Sequence, residues 1–195
     1  MYPVGSSLIS RARAHAETRP TGSNLGLETY NCYLRWIGMP GMKWDNLVSL
    51  IHGLVNFTGI PIAVLIHCGG NDIGDVPNGA LLYHMKFTIA ILSRMLPGCS
   101  LIWSSILPRS NWRYSDNDHA METTRKRINR GMRSYILKYG GYVINYPDFN
   151  DRHPGLYNQD GVHLSFIGND IFLNQIPSAF ETFISYPYCF VYPYD

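Results

Sequence analysis

Five residues of the chain carry groups that together could perform acyl transfer. Ser7 offers a hydroxyl, His163 an imidazole, and Asp160 a carboxylate three residues before that histidine. Gly41 offers a backbone N–H and Asn71 a side-chain amide. A nucleophile, a base, a group that orients the base and donors for an oxyanion are the parts that acyl transfer requires. The sequence therefore holds a complete set of these groups, provided that the fold brings them together.

Each group has a specific task in such a site. A serine hydroxyl is a weak nucleophile unless a base within roughly 2.6–3.2 Å accepts its proton, and His163 is the candidate base. Asp160 could hold the imidazole in the required tautomer and stabilise the imidazolium that forms. The backbone N–H groups of Ser7 and Gly41 and the side-chain NH2 of Asn71 could bind the oxyanion. Each such donor contributes about 3 kcal/mol.

The hydrophobic pattern predicts the scaffold that must position these groups. Short β-type runs alternate with longer amphipathic segments, which is typical of a parallel sheet covered by helices on both faces. We expect Pro177 to interrupt the last helix, with further turns to about residue 184. The pattern indicates a three-layer α/β/α sandwich. Its strands are predicted at 2–4, 30–37, 61–67, 101–107 and 142–145, and its helices at 8–16, 44–55, 80–96, 118–138 and 166–175.

The candidate groups all follow predicted strands. Ser7 follows the first strand, Gly41 the second and Asn71 the third, while Asp160 and His163 lie beyond the fifth. In an open parallel sheet the carboxyl ends of the strands meet at one edge, where ligands bind. We therefore expect all five residues to lie at the same edge of the sheet.

Four sequence blocks occur in a specific order along the chain. They are Gly5-Ser6-Ser7-Leu8, Gly41, Gly69-Gly70-Asn71-Asp72 and Asp160-Gly161-Val162-His163-Leu164. Any one block is unspecific, but the ordered set over residues 4 to about 180 resembles the SGNH (GDSL-like) hydrolases. The resemblance implies a flavodoxin-like, five-stranded parallel sheet in the order 2-1-3-4-5. It also implies hydrolysis of small acyl or acetyl esters without a cofactor.

Two departures from the family pattern leave other interpretations open. Ser6 stands where the family has an aspartate, and the first strand is short, as if the true start lay upstream. A catalytically weak or inactive binding module on the same fold, for nucleic acid or glycan and of retroelement origin, is the alternative. Its candidate surface is the basic helix 118–138. A phosphate-binding domain would need a glycine-rich loop after strand one, and the segment 5–7 is too short for one.

Each candidate residue also has an interpretation without catalysis. Serine is favoured at helix N-caps, aspartate forms Asx-type turns, and glycine and asparagine are common in loops. On this basis Ser7 could be a helix cap, Gly38 could replace Gly41 as the donor, Asn71 could cap its loop, Asp72 is interpreted as structural, and Asp160 could form a turn beside a surface histidine at 163.

Other polar residues are less informative. Trp112 and Arg113 follow the fourth strand and are candidates for the wall of a substrate pocket. The other histidines form neither H-x-x-x-H nor H-E-x-x-H, so no metal site is predicted. The basic residues of helix 118–138 are interpreted mainly as a solvated face.

The composition limits the class of protein. With 195 residues, of which 46% are hydrophobic, the chain can form one domain, predicted at 1–184, followed by a Tyr/Pro-rich tail at 185–195 that we expect to fray. A net charge of +2 is too small to indicate nucleic acid or an anionic membrane by itself. The expected partner is therefore a small ester or acylated substrate, with nucleic acid less favoured and the oligomeric state left open.

The remaining features indicate a cytoplasmic protein by default. No signal peptide is recognised at the start of the chain, and no apolar run approaches the roughly 20 residues that span a bilayer. The four cysteines are widely spaced, without a C-x-x-C pair. We therefore expect free thiols rather than disulfides.

Overall fold

The computed structural model describes residues 1–149 and 153–193. These residues form six strands and five α-helices in alternation. The strands are β1 (Tyr2–Gly5), β2 (Ile37–Gly38), β3 (Ala63–His67), β4 (Ser100–Ser104), β5 (Tyr142–Ile144) and β6 (Val191–Tyr192). The helices are α1 (Ser7–Ala16), α2 (Asn46–Thr58), α3 (Asn78–Met95), α4 (Asp118–Lys138) and α5 (Phe166–Ser185). Short 3-10 turns lie at Leu27–Tyr30, Pro147–Phe149 and Pro154–Leu156.

The strands form one parallel sheet in the order β2-β1-β3-β4-β5-β6. Gly5, at the end of β1, pairs with Gly38 of β2 on one side and His67 of β3 on the other. The predicted order 2-1-3-4-5 is confirmed, and a sixth strand extends the sheet beyond β5. Because all strands run in the same direction, their carboxyl ends lie at one edge.

Two hydrophobic cores cover the two faces of the sheet, since successive strand residues point to opposite faces. On one face, Leu65 packs in a cluster with the buried side chains of α1 and α5. On the other, Val64 and Ile66 pack with those of α2, α3 and α4. The predicted three-layer α/β/α sandwich is confirmed, and its buried strands explain the near-continuous apolar run in β3.

The second strand is much shorter than predicted. Residues 30–37 were expected to be extended, but only Ile37 and Gly38 pair with β1. Other partners take the backbone N–H groups before them: Leu34 donates to Asn24 Oδ1 at 2.9 Å and Arg35 donates to the carbonyl of Met1 at 3.0 Å. Residues 34 and 35 are therefore held by the loop at Asn24 and by the first residue of the chain, not by hydrogen bonds to a neighbouring strand.

The C-terminal segment also differs from the prediction. The expectation that it frays is wrong for residues 190–192, which form β6 and its flank. The N–H groups of Val143 and Asn145 donate to the carbonyls of Phe190 (2.8 Å) and Tyr192 (2.7 Å). These bonds use donors on the edge of β5 that would otherwise be unpaired. The division of the chain at residue 184 stays a prediction.

Helix α5 continues through Pro177, where an interruption was expected. Proline lacks the N–H that would bond the carbonyl four residues earlier, so the helix loses one hydrogen bond there. Buried residues on both sides of the proline, Ile176 and Ala179 among them, pack against the sheet. Tertiary packing therefore outweighs the local penalty.

The structure also describes the cysteines, the apolar character of the helices and the grouping of possible metal ligands. All four cysteines are free, as predicted, and Cys32, Cys68 and Cys189 are buried. Within the described residues, no helix combines the length and the apolar character needed to cross a bilayer. In the same residues, no three His, Cys, Asp or Glu side chains are grouped so that they could hold a metal ion.

Candidate active site

Ser7 lies at the turn between β1 and α1. A Cβ on Gly5 would clash with the backbone carbonyl of His67, so glycine allows the first strand to pass close to β3 before the turn. Ser6 is the N-cap residue of α1, and Ser7 is the first residue of the helix. Ser6 therefore occupies the cap position, although its side chain makes no capping hydrogen bond, and the Ser7 hydroxyl is directed elsewhere.

That hydroxyl contacts the imidazole of His163. Ser7 Oγ lies 2.9 Å from His163 Nε2, and His163 Nδ1 lies 2.7 Å from Asp160 Oδ2. An ionised carboxylate only accepts hydrogen bonds, so Nδ1 is the protonated ring nitrogen and donates to Asp160. In the neutral ring Nε2 then accepts from the Ser7 hydroxyl. The structure thus joins the three predicted residues in one hydrogen-bonded chain.

Asp160 is held by its own loop as well as by the histidine. Its Oδ1 accepts the backbone N–H groups of Val162 and His163, both at 2.9 Å. Burial acts to raise the pKa of Asp160, but the hydrogen bonds from His163 and Val162 outweigh it and lower the pKa to about 2. The Asx-type turn and the bond to the histidine ring are therefore present together, each using one carboxylate oxygen.

One cleft of about 340 Å³ is lined by Ser7, Gly41, Asn71, Asp160 and His163. The five groups that the sequence places after strands β1, β2, β3 and β5 are therefore brought together at the carboxyl edge of the sheet. Clefts of this size, with a few convergent polar groups, are typical of small-molecule sites.

Gly38, the alternative to Gly41, has a different environment. A Cβ on Gly38 would lie 2.7 Å from the Cα of Ser10, so glycine is needed for helix α1 to pack on β2. Gly41 has a φ of +72° and no atom within 4 Å of the position a Cβ would take. Only Gly41 of the two lines the cleft. The close packing at Gly38 explains that glycine without a role in the site.

The Asn71 side chain makes two hydrogen bonds. Its Nδ2 donates to the carbonyl of Met42 at 3.1 Å, and its Oδ1 accepts from Arg109 Nη1 at 3.2 Å. One N–H of the amide remains for another acceptor. The side chain is therefore anchored between two loops, with a donor left over beside Ser7.

Trp112 and Arg113, the candidate pocket residues, both line the cleft. Trp112 is 5% exposed and forms part of the wall, whereas Arg113 is exposed. The structure therefore places both at the cleft, beyond the end of β4, as the sequence argument expected.

Arg109 was missed as a site residue. It lines the cleft and bonds Asn71, and its guanidinium lies over the ring of Trp112, with Cζ 5.5 Å from the ring centroid. The signal was present in the sequence, since Arg109 follows the Leu107-Pro108 end of the predicted fourth strand. The rule that selected the other polar residues after strands would have selected it too.

A buried polar network beneath the cleft was also missed. His67 Nδ1 lies 2.8 Å from Ser104 Oγ, which lies 2.6 Å from the Tyr146 hydroxyl. Burial, with the nearby charge of Arg109, lowers the pKa of His67 to about 3. His67 is therefore neutral at physiological pH and connects β3, β4 and the loop after β5.

Asp72 has the structural environment that the sequence argument expected. Both of its carboxylate oxygens lie 3.1 Å from the backbone N of Trp44, at the start of the segment leading to α2. Burial raises the pKa of Asp72 to about 6, although the bond from Trp44 and the charge of Lys43 act to lower it. This carboxylate ties the β3 loop to the loop that carries Gly41.

Comparison with solved structures identifies the architecture. A GDSL-like lipase from Bacteroides thetaiotaomicron superposes with a TM-score of 0.69 at 17% identity, over 93% of this chain and 87% of that one. An acetylxylan esterase from Geobacillus stearothermophilus gives 0.68 at 17% identity, over 91% and 92% of the two chains. A lipase/acylhydrolase from Enterococcus faecalis gives 0.66 at 15% identity, over 93% of each.

The chain has the SGNH hydrolase fold. No protein-family model and no curated protein sequence matches it. At such low identity the structural neighbours establish the fold, and the residues of the site have to be judged by their own geometry. In this SGNH fold, the hydrogen-bonded chain from Ser7 to Asp160 lies at the edge of the sheet where ligands of open α/β folds bind.

Proposed function

We propose that the protein is a serine esterase that hydrolyses small acyl or acetyl esters. The observation that carries the proposal is the continuous chain from Ser7 Oγ through His163 to Asp160, with distances of 2.9 and 2.7 Å. Both distances lie within the reach that proton transfer requires. A serine and a histidine that merely capped or solvated a surface would not need this alignment with a carboxylate.

The reaction follows from the positions of the three groups. Ser7 Oγ attacks the ester carbonyl carbon while its proton passes to His163 Nε2. The imidazolium, stabilised by the charge of Asp160, then gives that proton to the leaving alkoxide, and an acyl-enzyme remains. A water molecule, deprotonated by the same nitrogen, attacks the acyl carbon, and release of the acid restores the Ser7 hydroxyl.

Three donors support binding of the oxyanion. The N–H of Ser7 belongs to the first turn of α1, where helical N–H groups have no partner within the helix and the helix dipole favours negative charge. The N–H of Gly41 makes no hydrogen bond within the described part of the chain. The remaining N–H of Asn71 is the third donor. Such preorganised donors are the largest contribution in most acyl-transfer enzymes.

The cleft favours a small acyl group. Its volume of about 340 Å³ and its wall of Ile73 and the buried Trp112 leave room for a short chain. One structural neighbour is an acetylxylan esterase, in agreement with an acetyl or similarly short acyl group here. The alcohol part would extend toward the exposed Arg113 at the mouth of the cleft.

The decisive experiment is labelling of the purified protein with a fluorophosphonate probe, with the adduct located by mass spectrometry. An activated serine forms an adduct at Ser7, and both labelling and hydrolysis of p-nitrophenyl acetate should disappear in Ser7→Ala and His163→Ala. The matched controls are Ser10→Ala and His84→Ala. Ser10 lies on the same helix with a buried hydroxyl that has no partner in the described residues, and His84 is half-exposed on α3.

The opposite result has a defined meaning. If correctly folded wild-type protein forms no adduct and releases no nitrophenol, the esterase proposal is wrong. The binding-module interpretation would then take its place, with Ser6 as the departure from the family pattern that accounts for lost activity. Hydrolysis that persists in both Ser7→Ala and His163→Ala would exclude the mechanism equally.

A further inference from the structure

Arg109 is docked on the loop that carries Asn71. A Cβ on Gly70 would lie 2.6 Å from Arg109 Nη2 and 3.2 Å from its Cζ, so the guanidinium occupies the space that the missing side chain leaves. On its other side the guanidinium lies over Trp112, with 5.5 Å between Cζ and the ring centroid. The planar group is thus held between a glycine and an aromatic ring. Such stacking restricts its orientation.

The docked guanidinium determines which way the Asn71 amide faces. An arginine can only donate, so the atom it contacts at 3.2 Å is the acceptor Oδ1. The Nδ2 is then directed to the carbonyl of Met42, at 3.1 Å, and its second hydrogen remains for the cleft. Without Arg109, one anchor of the amide disappears and Oδ1 loses its donor.

The charge of Arg109 is only partly offset by a neighbouring acid, the buried Asp72, whose charge acts to raise the pKa of the guanidinium. No carboxylate of residues 1–149 or 153–193 forms an ion pair with Arg109. Burial lowers the pKa of Arg109 to about 10, so the guanidinium is still charged at neutral pH. The uncharged Ser6 shares a small cavity with Arg109 beneath the cleft. A cation at this position polarises the amide that it contacts, and hydrogen bonds involving charged groups are the stronger ones.

We propose that Arg109 is a positioning residue for the oxyanion site: its guanidinium, seated on Gly70, holds the Asn71 amide with its free N–H toward the tetrahedral intermediate. This inference rests on the proposed esterase function. It requires no contact between Arg109 and the substrate. Arg109 should therefore affect the transition state more than substrate binding, because the donor that it orients binds the oxyanion more strongly than the ester carbonyl.

The test is a double-mutant cycle on p-nitrophenyl acetate with Arg109→Met and Asn71→Ala. We expect Asn71→Ala to lower kcat by about 10²–10³-fold, as for the loss of one oxyanion donor. Arg109→Met should lower kcat by on the order of tenfold or more with KM changed by less than about threefold. In the Asn71→Ala background the same substitution should lower kcat by less than about twofold, since residues that act through each other are not additive.

A second variant reaches the same contact from the other side. Gly70→Ala places a methyl group where the guanidinium lies, so it should lower kcat as Arg109→Met does, and the two should not add. Arg94→Met, which removes a positive charge from the last turn of α3 at the opposite edge of the sheet, is the control and should leave kcat unchanged. Thermal unfolding of each variant shows whether its fold is intact.

The outcomes separate the inference from the function on which it rests. Wild-type protein that forms no fluorophosphonate adduct contradicts both. If wild-type protein is labelled at Ser7, full additivity of Arg109→Met with Asn71→Ala overturns the positioning role alone. A rise in KM without a change in kcat does the same, because it would mean that Arg109 binds the substrate directly.

Discussion

Asp160 contacts His163 twice, once through each carboxylate oxygen. Oδ1 accepts the backbone N–H of His163 at 2.9 Å, and Oδ2 lies 2.7 Å from the ring Nδ1. The first bond shapes the loop and the second orients the ring. A substitution that keeps the first and changes the second therefore separates the fold of the loop from the chemistry of the site.

Asp160→Asn is that substitution. The amide oxygen can still accept the backbone N–H groups, so we expect little change in stability. The NH2 that replaces Oδ2 cannot accept from Nδ1 and favours the wrong tautomer. A decrease in kcat of about 10³–10⁴-fold is therefore expected on p-nitrophenyl acetate. Because the pKa of Asp160 is about 2, its carboxylate is ionised throughout pH 5 to 8, and its own titration does not change the loss in this range.

The chain provides a matched control for this experiment. Asp170 Oδ1 lies 2.9 Å from His15 Nε2, which makes a second Asp–His pair outside the cleft. Asp170→Asn should leave kcat unchanged. Equal losses in the two variants would point to a general effect on the fold and would contradict the role assigned to Asp160.

Asp72→Asn should stabilise the protein at neutral pH. The pKa of Asp72 is raised by burial to about 6 in the folded state, against about 4 in an unfolded chain. The folded state therefore holds a proton between pH 4 and 6 that the unfolded state has lost, and this contribution to stability is lost as the pH rises through 6. The difference amounts to about 2–3 kcal/mol, and asparagine removes it while keeping an acceptor for Trp44.

The measurement is the free energy of unfolding by urea at pH 4 and pH 7.5 for both proteins. The free energy of unfolding of the variant, relative to that of the wild type, should be higher at pH 7.5 than at pH 4. A difference in unfolding free energy between the variant and the wild type that is the same at pH 4 and pH 7.5 would show that Asp72 is not the group that titrates. Esterase activity should persist in the variant, because Asp72 does not contact Ser7 or His163 in the structure.

Residues with strong local signals were predicted well. Helix α4 was predicted at its observed bounds, 118–138, and the structure shows that the Asn117 side chain caps its start by accepting the N–H of Ala120. Asn71 was selected because it follows the clear apolar run of β3, whereas Ser7, Asp160 and His163 were selected from the order of polar groups after the strands and from the ordered family blocks. The parallel order of the sheet came from the resemblance to a family, which local pattern alone does not supply.

Features that depend on distant contacts were not predicted. The N–H groups of Leu34 and Arg35 bind Asn24 and Met1, and no local pattern in residues 30–37 reveals that. The tail forms β6 because β5 offers a free edge. Arg109 gains its position from the missing side chain at Gly70, a relationship between two loops.

His67→Asn should reduce the sensitivity of the fold to acid. The pKa of His67 is lowered by burial to about 3, against about 6.5 in an unfolded chain. The unfolded state takes up a proton below pH 6.5 that the folded state refuses, so stability is lost as the pH falls from 6.5 toward 3. The full difference is about 3–5 kcal/mol.

Between pH 4 and 6 the titration of His67 raises stability with increasing pH, whereas that of Asp72 lowers it. The test is therefore the slope of the unfolding free energy against pH, compared between the variant and the wild type. Asparagine leaves space beside Phe172 and lowers stability at every pH, but its unfolding free energy should fall less steeply from pH 6.5 to 4.5 than that of the wild type. Slopes that are equal in the two proteins would mean that His67 is not the group that titrates.

Alanine should lower mainly stability at Gly38 and mainly activity at Gly41. A Cβ at 38 would meet the backbone of Ser10, at 2.7 Å from its Cα, so α1 must move away from β2. Overpacking of this kind costs about 1–3 kcal/mol or more, and we expect a lower melting temperature. A Cβ at 41 meets no atom within 4 Å, and its φ of +72° adds only about 1–2 kcal/mol of backbone strain.

The activity of the folded fraction distinguishes the two positions. Gly41→Ala should lower kcat by on the order of tenfold, because strain at φ +72° moves the N–H proposed to bind the oxyanion. Gly38→Ala should retain kcat per folded molecule, measured against fluorophosphonate-titrated sites. The reverse result, with a large loss of kcat in Gly38→Ala and none in Gly41→Ala, would assign the donor to Gly38 and require a different orientation of the oxyanion.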